Sequence, residues 1–159
     1  MVYAGVDIAK VDHVIGAVDE RGEEQGKRMP FKNSAAGFER CEAWLEGVAE
    51  RPSDVLVGME ATGHYWMALY AFLVSRGYSV AVIDPVQVRA VRRLKGLDRV
   101  KNDRVDAGLI AETLRIVPDF AGDEKILSGN SAFGNGTSNA FFIFINRSGI
   151  DHAVAGGNS

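Results

Sequence analysis

Two acidic residues of this sequence lie where an uncompensated charge is costly. Asp7 is embedded in an apolar run near the N-terminus, and Glu60 ends a second apolar run. An ionised carboxylate in an apolar strand is strongly unfavourable without a partner, and a cation is the obvious partner. Asp103 and Asp106 are three residues apart at the start of a predicted helix, which places them on one helix face. These four carboxylates are the candidates for chemistry.

A group of carboxylates without a His or Cys cluster forms a hard oxygen site, which suits Mg²⁺ or Mn²⁺ and is poor for zinc. Two such ions, about 4 Å apart, can activate the attacking oxygen and stabilise the leaving oxygen in phosphoryl transfer. Taken singly, Asp103 and Asp106 are also explained as a helix cap and a first-turn acid, and Glu60 by an arginine partner. Asp7 has no such explanation, so the sequence predicts a two-metal site.

A basic stretch precedes the acidic pair, although the formal charge of the chain is −3. Basic residues that face solvent are common on helices, and this alternative has equal weight. Contact with nucleic acid is favoured because an anionic backbone must be attracted towards an acidic site that otherwise repels it. The predicted nucleic-acid-binding residues are Arg89, Arg92, Arg93, Lys95, Arg99, Lys101 and Arg104.

Length and composition exclude several classes of protein. With 159 residues, 47% hydrophobic and 25% charged, the chain has the composition of a single soluble globular domain. No apolar run approaches the roughly 20 residues of a membrane-spanning helix. The N-terminus lacks the pattern of a signal peptide, so we expect a cytoplasmic protein without a membrane partner. Cys41 is the sole cysteine, which excludes an internal disulfide.

The pattern of apolar and turn residues predicts an α/β fold in which a mixed sheet is flanked by helices. Three antiparallel strands come first, a β-α-β crossover follows, and two helices come last. Ser34 is predicted to cap the first helix and Gly77 to terminate the second. The predicted elements are strands at 2–8, 13–18, about 24–30, 55–59 and 79–83, and helices at about 35–51, 62–75, 85–96 and 102–118.

The composition changes after about Phe120, where Gly, Asn and Ser surround one apolar island at 141–145. We therefore predict a domain at 2–118 and a tail at 119–159 that does not continue it and is typical of a disordered or frameshifted segment. The island is a β-prone association hazard if it is not buried.

Four stretches of this sequence resemble the insertion-sequence transposases whose N-terminal domain is RuvC-like and carries a D-E-D-D tetrad, a group that includes the pilin-gene invertases. The resemblance covers about 2–117. It implies an RNase H-like fold, with Asp7, Glu60, Asp103 and Asp106 as the ligands of magnesium or manganese, DNA as substrate and a structured bridge RNA as guide. The stretches are GVDIAK at 5–10, MEATGHY at 59–65, IDP at 83–85 and KNDRVDA at 101–107.

Members of this group also carry a C-terminal domain with a serine nucleophile, and the tail at 119–159 does not resemble it. None of the serines in the tail is assigned as a nucleophile. We therefore expect metal and nucleic-acid binding, but not complete transposition, from this chain alone. A homo-oligomer is compatible with the sequence, although no pattern in it predicts one.

Two alternative functions remain open from the sequence. An actin-like or sugar-kinase ATPase lobe shares the sheet topology, but it needs phosphate-admitting glycines in the first hairpin, where this sequence has Ile8, Ala9 and Lys10. The other alternative is a non-catalytic module that binds RNA or DNA ends, in which the same acidic and basic residues would be present.

Overall fold

A five-stranded sheet forms the centre of the protein in the computed structural model, which describes residues 1–61, 63–96 and 103–117, with only the backbone at 103–106. The strands are β1 (Val2–Asp7), β2 (Asp12–Asp19), β3 (Glu24–Lys32), β4 (Val55–Glu60) and β5 (Ser79–Ile83). The strand order β3-β2-β1-β4-β5 has β1, β2 and β3 antiparallel, and β1, β4 and β5 parallel. This order agrees with the RNase H-like fold that the resemblance implies.

Helices cover both faces of the sheet and produce two separate hydrophobic clusters. The helices are α1 (Ala35–Val48), α2 (Met67–Ser75), α3 (Pro85–Leu94) and α4 (Asp103–Ile116). Because side chains alternate along a strand, Ala4 and Val6 belong to the cluster with α1 and α2, whereas Tyr3 belongs to the cluster with α3 and α4. The predicted mixed sheet flanked by helices is therefore confirmed.

The predicted helix ends are confirmed at two places. The Ser34 side chain accepts a hydrogen bond from the Gly37 N–H and caps α1. At the end of α2, Gly77 has φ 87° and donates to the Val74 carbonyl, and the Tyr78 N–H donates to the Leu73 carbonyl. This pair of bonds satisfies carbonyls that the helix end leaves open.

The prediction that α2 starts at about residue 62 is wrong, because the helix begins at Met67. A turn precedes it, in which Gly63 has φ 59° and its carbonyl accepts a hydrogen bond from the Trp66 indole over 3.0 Å. A left-handed residue ends helical geometry. The third strand also continues past its predicted end, to Lys32, since β3 is an edge strand and tolerates Pro30.

Helix α4 packs over Gly5 and Gly58, which share one register position with Gly16 on adjacent strands; we call these three residues the glycine row. A Cβ added at Gly5 would overlap the Ala107 carbonyl oxygen and the Ala111 nitrogen, both in the backbone of α4. The helix and the sheet therefore approach each other more closely than a residue with a side chain would allow.

Helix α4 runs antiparallel to β1. Its last turn lies at the start of β1, because the Arg115 guanidinium is 3.3 Å from the position of a Cβ on Gly22, in the turn between β2 and β3. Its earlier residue Ala107 lies against Gly5, further along β1. The first turn of α4 is therefore at the end of the sheet where β1 finishes.

A buried carboxylate joins α3 to α4. The Glu112 side chain is 7% exposed; its Oε1 lies 2.5 Å from Lys95 Nζ and 2.6 Å from an Arg115 nitrogen. These contacts lower the pKa of Glu112 to about 2, chiefly through the hydrogen bonds from Arg115. Lys95 follows the last residue of α3, so this cluster fixes the end of that helix against α4.

No helix within residues 1–61, 63–96 and 103–117 has both the length and the hydropathy needed to cross a bilayer. The tail at 119–159 lies outside the described residues, so the predicted boundary at 118 stays a prediction.

His13 is a buried core residue. Its ring packs edge-on to Phe31, with centroids 5.2 Å apart, and stacks with Phe38. Its Nδ1 accepts a hydrogen bond from the Ala9 N–H over 3.1 Å, which holds the turn after Asp7. Burial lowers the pKa of His13, and Asn33 and Asp12 oppose this effect.

We expect His13 to make the protein less stable as the pH falls below about 6.5, its ordinary pKa. The folded state keeps the ring neutral, so unfolding takes up a proton, and stability falls by at most about 1.4 kcal/mol per pH unit. Urea unfolding between pH 7.5 and 5 should show a weaker pH dependence for His13→Gln than for the unmodified protein. Parallel curves for the two proteins would refute the assignment.

Candidate metal centre

Asp7 and Glu60 are adjacent at one edge of the sheet. Strands β1 and β4 are parallel and pair up to Val6 and Met59, so the next residues, Asp7 and Glu60, lie side by side. Both are half-buried. We call this edge, where β1, β4 and β5 finish, the carboxyl edge. The structure therefore brings together two residues of the predicted tetrad that are far apart in the sequence.

Side chains alternate between the two faces of a strand, and this alternation places Asp7 and Glu60 on the face that α4 covers. Tyr3 belongs to the α4 cluster, and Asp7 is four residues further along the same strand. Leu56 belongs to that cluster as well, and Glu60 follows it by four residues. Residues separated by an even number of positions share one face of a strand. Asp7 and Glu60 therefore belong to the same face as the helix that carries the other two predicted acids.

The surroundings of Glu60 show the cost of a charge at this edge. Burial raises the pKa of its carboxyl above the usual value, and the nearby carboxylate of Asp84 adds to the rise. Arg89 and Arg92 of α3 act in the opposite direction and lower that pKa. A divalent cation at the carboxyl edge would offset the free-energy cost of burying the charged carboxylates of Asp7 and Glu60.

Asp84 is a third acid at this edge, and sequence reasoning did not assign it to the site. Glu60 pairs with Ile83 on β5, and Asp84 is the next residue. Its Oδ1 accepts a hydrogen bond from the Val86 N–H over 2.6 Å, so it caps α3. Its position directly after a strand, like that of Glu60, was visible in the sequence. The cap accounts for one of its oxygens.

The first turn of α4 contains Asp103 and Asp106 and lies towards the carboxyl edge, as the direction of the helix requires. Their side chains are outside the described part of the chain. Among the residues whose side chains are described, no three His, Cys, Asp or Glu form a group that could hold a metal. The complete tetrad therefore stays a prediction, with two members adjacent and the backbone of the other two at the same end of the sheet.

The predicted nucleic-acid-binding residues fall into three groups. Arg89 and Arg93 are exposed on α3, and Arg92 is half-buried. Lys95 is paired with the buried Glu112, which gives it a structural role that the sequence did not indicate. Arg99 and Lys101, and the side chain of Arg104, lie outside the described residues.

The aromatic residues after Glu60 lie in the turn before α2. His64 is exposed and Tyr65 half-buried, with their ring centroids 4.4 Å apart. Trp66 is half-buried, packs against the core cluster of α1 and α2, and meets Tyr70 edge-on.

Comparisons with known proteins agree with the resemblance seen in the motifs. The chain is 28% identical over 109 residues to the pilin gene-inverting protein of Moraxella bovis, covering 69% of this chain and 33% of that protein. The pilin gene-inverting protein of Moraxella lacunata gives the same identity and coverage. The chain thus spans about a third of the length of these relatives.

A solved structure of T. thermophilus RuvC in complex with a Holliday junction substrate is similar with a TM-score of 0.49 and 21% identity, covering 71% of this chain and 91% of that one. The family model for DEDD transposases of the IS110 type, described as "Transposase", matches residues 4–122. This match decides against the actin-like or sugar-kinase lobe. The chain belongs to the IS110-type DEDD transposase family.

Proposed function

We propose that this chain is the metal-binding part of a DNA transposase, in which Asp7, Glu60, Asp103 and Asp106 hold two Mg²⁺ or Mn²⁺ ions for phosphoryl transfer on DNA. The observation that carries the proposal is the adjacency of Asp7 and Glu60 at the carboxyl edge, on the face covered by α4. Family membership supports the same chemistry.

The residues at the carboxyl edge fit such ions. Carboxylate oxygens are the ligand atoms that Mg²⁺ and Mn²⁺ prefer. A nearby cation also stabilises the charged form of the half-buried Asp7 and Glu60. When bound, a pair of ions would polarise the scissile phosphate and the attacking oxygen. The carboxylates hold the ions in place, and the arginines of α3 attract the phosphate backbone towards an edge that would otherwise repel it.

We further propose that DNA is the substrate and that a structured bridge RNA guides the complete recombinase. The relatives are about three times as long as the matched region, so excision and insertion belong to the whole protein. In this proposal the acidic centre cooperates with a serine nucleophile on a C-terminal domain. The matched region supplies the acidic half of that composite site.

The experiment is a manganese titration of the purified chain, followed by thermal unfolding. Binding to the folded state alone stabilises it by about 2.7 kcal/mol when the free metal is 100 times the dissociation constant. We expect Mn²⁺ to raise the melting temperature, EDTA to reverse the rise, and labelled DNA to bind more weakly as salt increases. A melting temperature that responds to neither Mn²⁺ nor Mg²⁺ would refute the metal centre.

The second candidate is a module that binds nucleic acid without cutting it, and the exposed Arg89 and Arg93 of α3 support it. Metal and DNA binding are common to both candidates, so strand cleavage separates them. Nicking of a labelled DNA that the chain binds, dependent on Mn²⁺, would support the enzyme. Binding without nicking would support the module.

A further inference from the structure

The three members of the glycine row meet different kinds of neighbours. A Cβ at Gly58 would lie 2.7 Å from Leu114 Cδ1 and 2.9 Å from Ile83 Cδ1, and one at Gly16 would lie 3.0 Å from Arg28 Cγ. These neighbours are parts of side chains, which can rotate away. At Gly5 the neighbours are backbone atoms of α4, and Ile110 Cβ lies at 2.9 Å as well. Of the row, only Gly5 therefore fixes the backbone of the helix itself.

The contact at Gly5 is close to the candidate centre in both elements. On β1 it precedes Asp7 by two residues, on the same strand face. On α4 it involves Ala107, the residue directly after Asp106. A helix moves as a rigid unit over such a short distance, so a displacement at Ala107 moves the whole first turn relative to the carboxyl edge.

We propose that Gly5 is a positioning residue for the metal centre. By admitting the α4 backbone to the surface of β1, it sets the distance between the acids of the sheet and the acidic first turn of the helix. The inference rests on the proposed function, because it assigns Gly5 a role in metal affinity beyond its role in packing. An added methyl group at Gly5 would push α4 outwards and separate the two halves of the tetrad.

The test compares Gly5→Ala with Gly58→Ala in the full chain, using manganese titrations of protein that remains folded at the working temperature. Both variants are expected to be less stable than the unmodified protein, since both add a methyl group beneath α4. Gly5→Ala should lower the affinity for Mn²⁺ by about 10- to 100-fold, the range seen when the supports of metal ligands are disturbed. Gly58→Ala should keep the original affinity, because the side chains of Leu114 and Ile83 can adjust without a shift of the α4 backbone.

A second variant keeps the test decisive if Gly5→Ala does not fold. Ala111 is fully buried at the same contact, and Ala111→Val adds bulk from the helix side. It should weaken Mn²⁺ binding as well. Unchanged affinity in a folded Gly5→Ala or Ala111→Val protein, or an equal loss in Gly58→Ala, would overturn the role of Gly5. Failure of the proposed function would give a different result, because the unmodified protein itself would not respond to Mn²⁺. That result would also overturn the positioning role of Gly5.

Discussion

Asp7→Asn is expected to abolish the stabilisation of this protein by manganese. The change keeps the size of the side chain and removes the charge that a divalent ion needs at the carboxyl edge. At a free metal concentration 100 times the dissociation constant, the unmodified protein should gain about 2.7 kcal/mol and the variant close to none. Unfolding of each protein should be followed with and without Mn²⁺, so that any change in metal-free stability cancels.

Asp12→Asn is the matched control for Asp7→Asn. Asp12 is an exposed acid at the start of β2, five residues after Asp7, and its Oδ1 lies 2.7 Å from Lys32 Nζ. Exposed ion pairs of this kind contribute only about 0 to 1 kcal/mol to the free energy of unfolding. Asp12→Asn should therefore keep the full response to Mn²⁺. A response of Asp7→Asn equal to that of the control would show that Asp7 does not bind the metal.

Among the substitutions proposed here, Glu112→Gln is expected to lower the free energy of unfolding most in the absence of metal. The depressed pKa of Glu112, about 2, means that the folded protein stabilises its charged form. A shift of this size corresponds to at most about 3 to 4 kcal/mol. Because Lys95 and Arg115 keep partial contact with water, we expect a loss of about 2 kcal/mol at pH 7, measured by urea unfolding.

The pH dependence of this loss distinguishes the ion pairs from packing. The contribution of a carboxylate with a depressed pKa is complete above its ordinary value of 4.5 and disappears as the pH falls towards 2. The difference between Glu112→Gln and the unmodified protein should therefore shrink in that range. Glu42, 20% exposed and 3.4 Å from Arg76, is the control, and its change to Gln should cost about 0.5 kcal/mol. A difference for Glu112→Gln that does not vary with pH would contradict the assignment.

The sequence predicted those parts of the fold that depend on local patterns. The apolar run at 2–8 predicted the first strand to within one residue, although Asp7 ends β1 and does not lie inside it. The caps at Ser34 and Gly77 were also predictable, because each depends on one residue type at one position. The start of α2 was not, since Gly63 interrupts an apolar pattern that is otherwise typical of a helix.

Features that depend on distant partners could not be predicted. Lys95 pairs with Glu112, on another helix, and only the docking of α3 against α4 brings them together, while its contact with nucleic acid stays a prediction. The glycine row is invisible in the sequence for a similar reason. Its three members align only once β2, β1 and β4 are paired in a particular register.

The antiparallel docking of α4 has a consequence for synthesis of the protein. Asp7 and Glu60 emerge from the ribosome early, whereas the helix that covers their face is the last element of the described chain. Until that helix arrives, Tyr3, Leu56 and Ala81 have no cover from it. A nascent chain therefore exposes an apolar surface on this face of the sheet. Under the proposed function it also lacks half of its metal ligands, so DNA cleavage would require synthesis of α4.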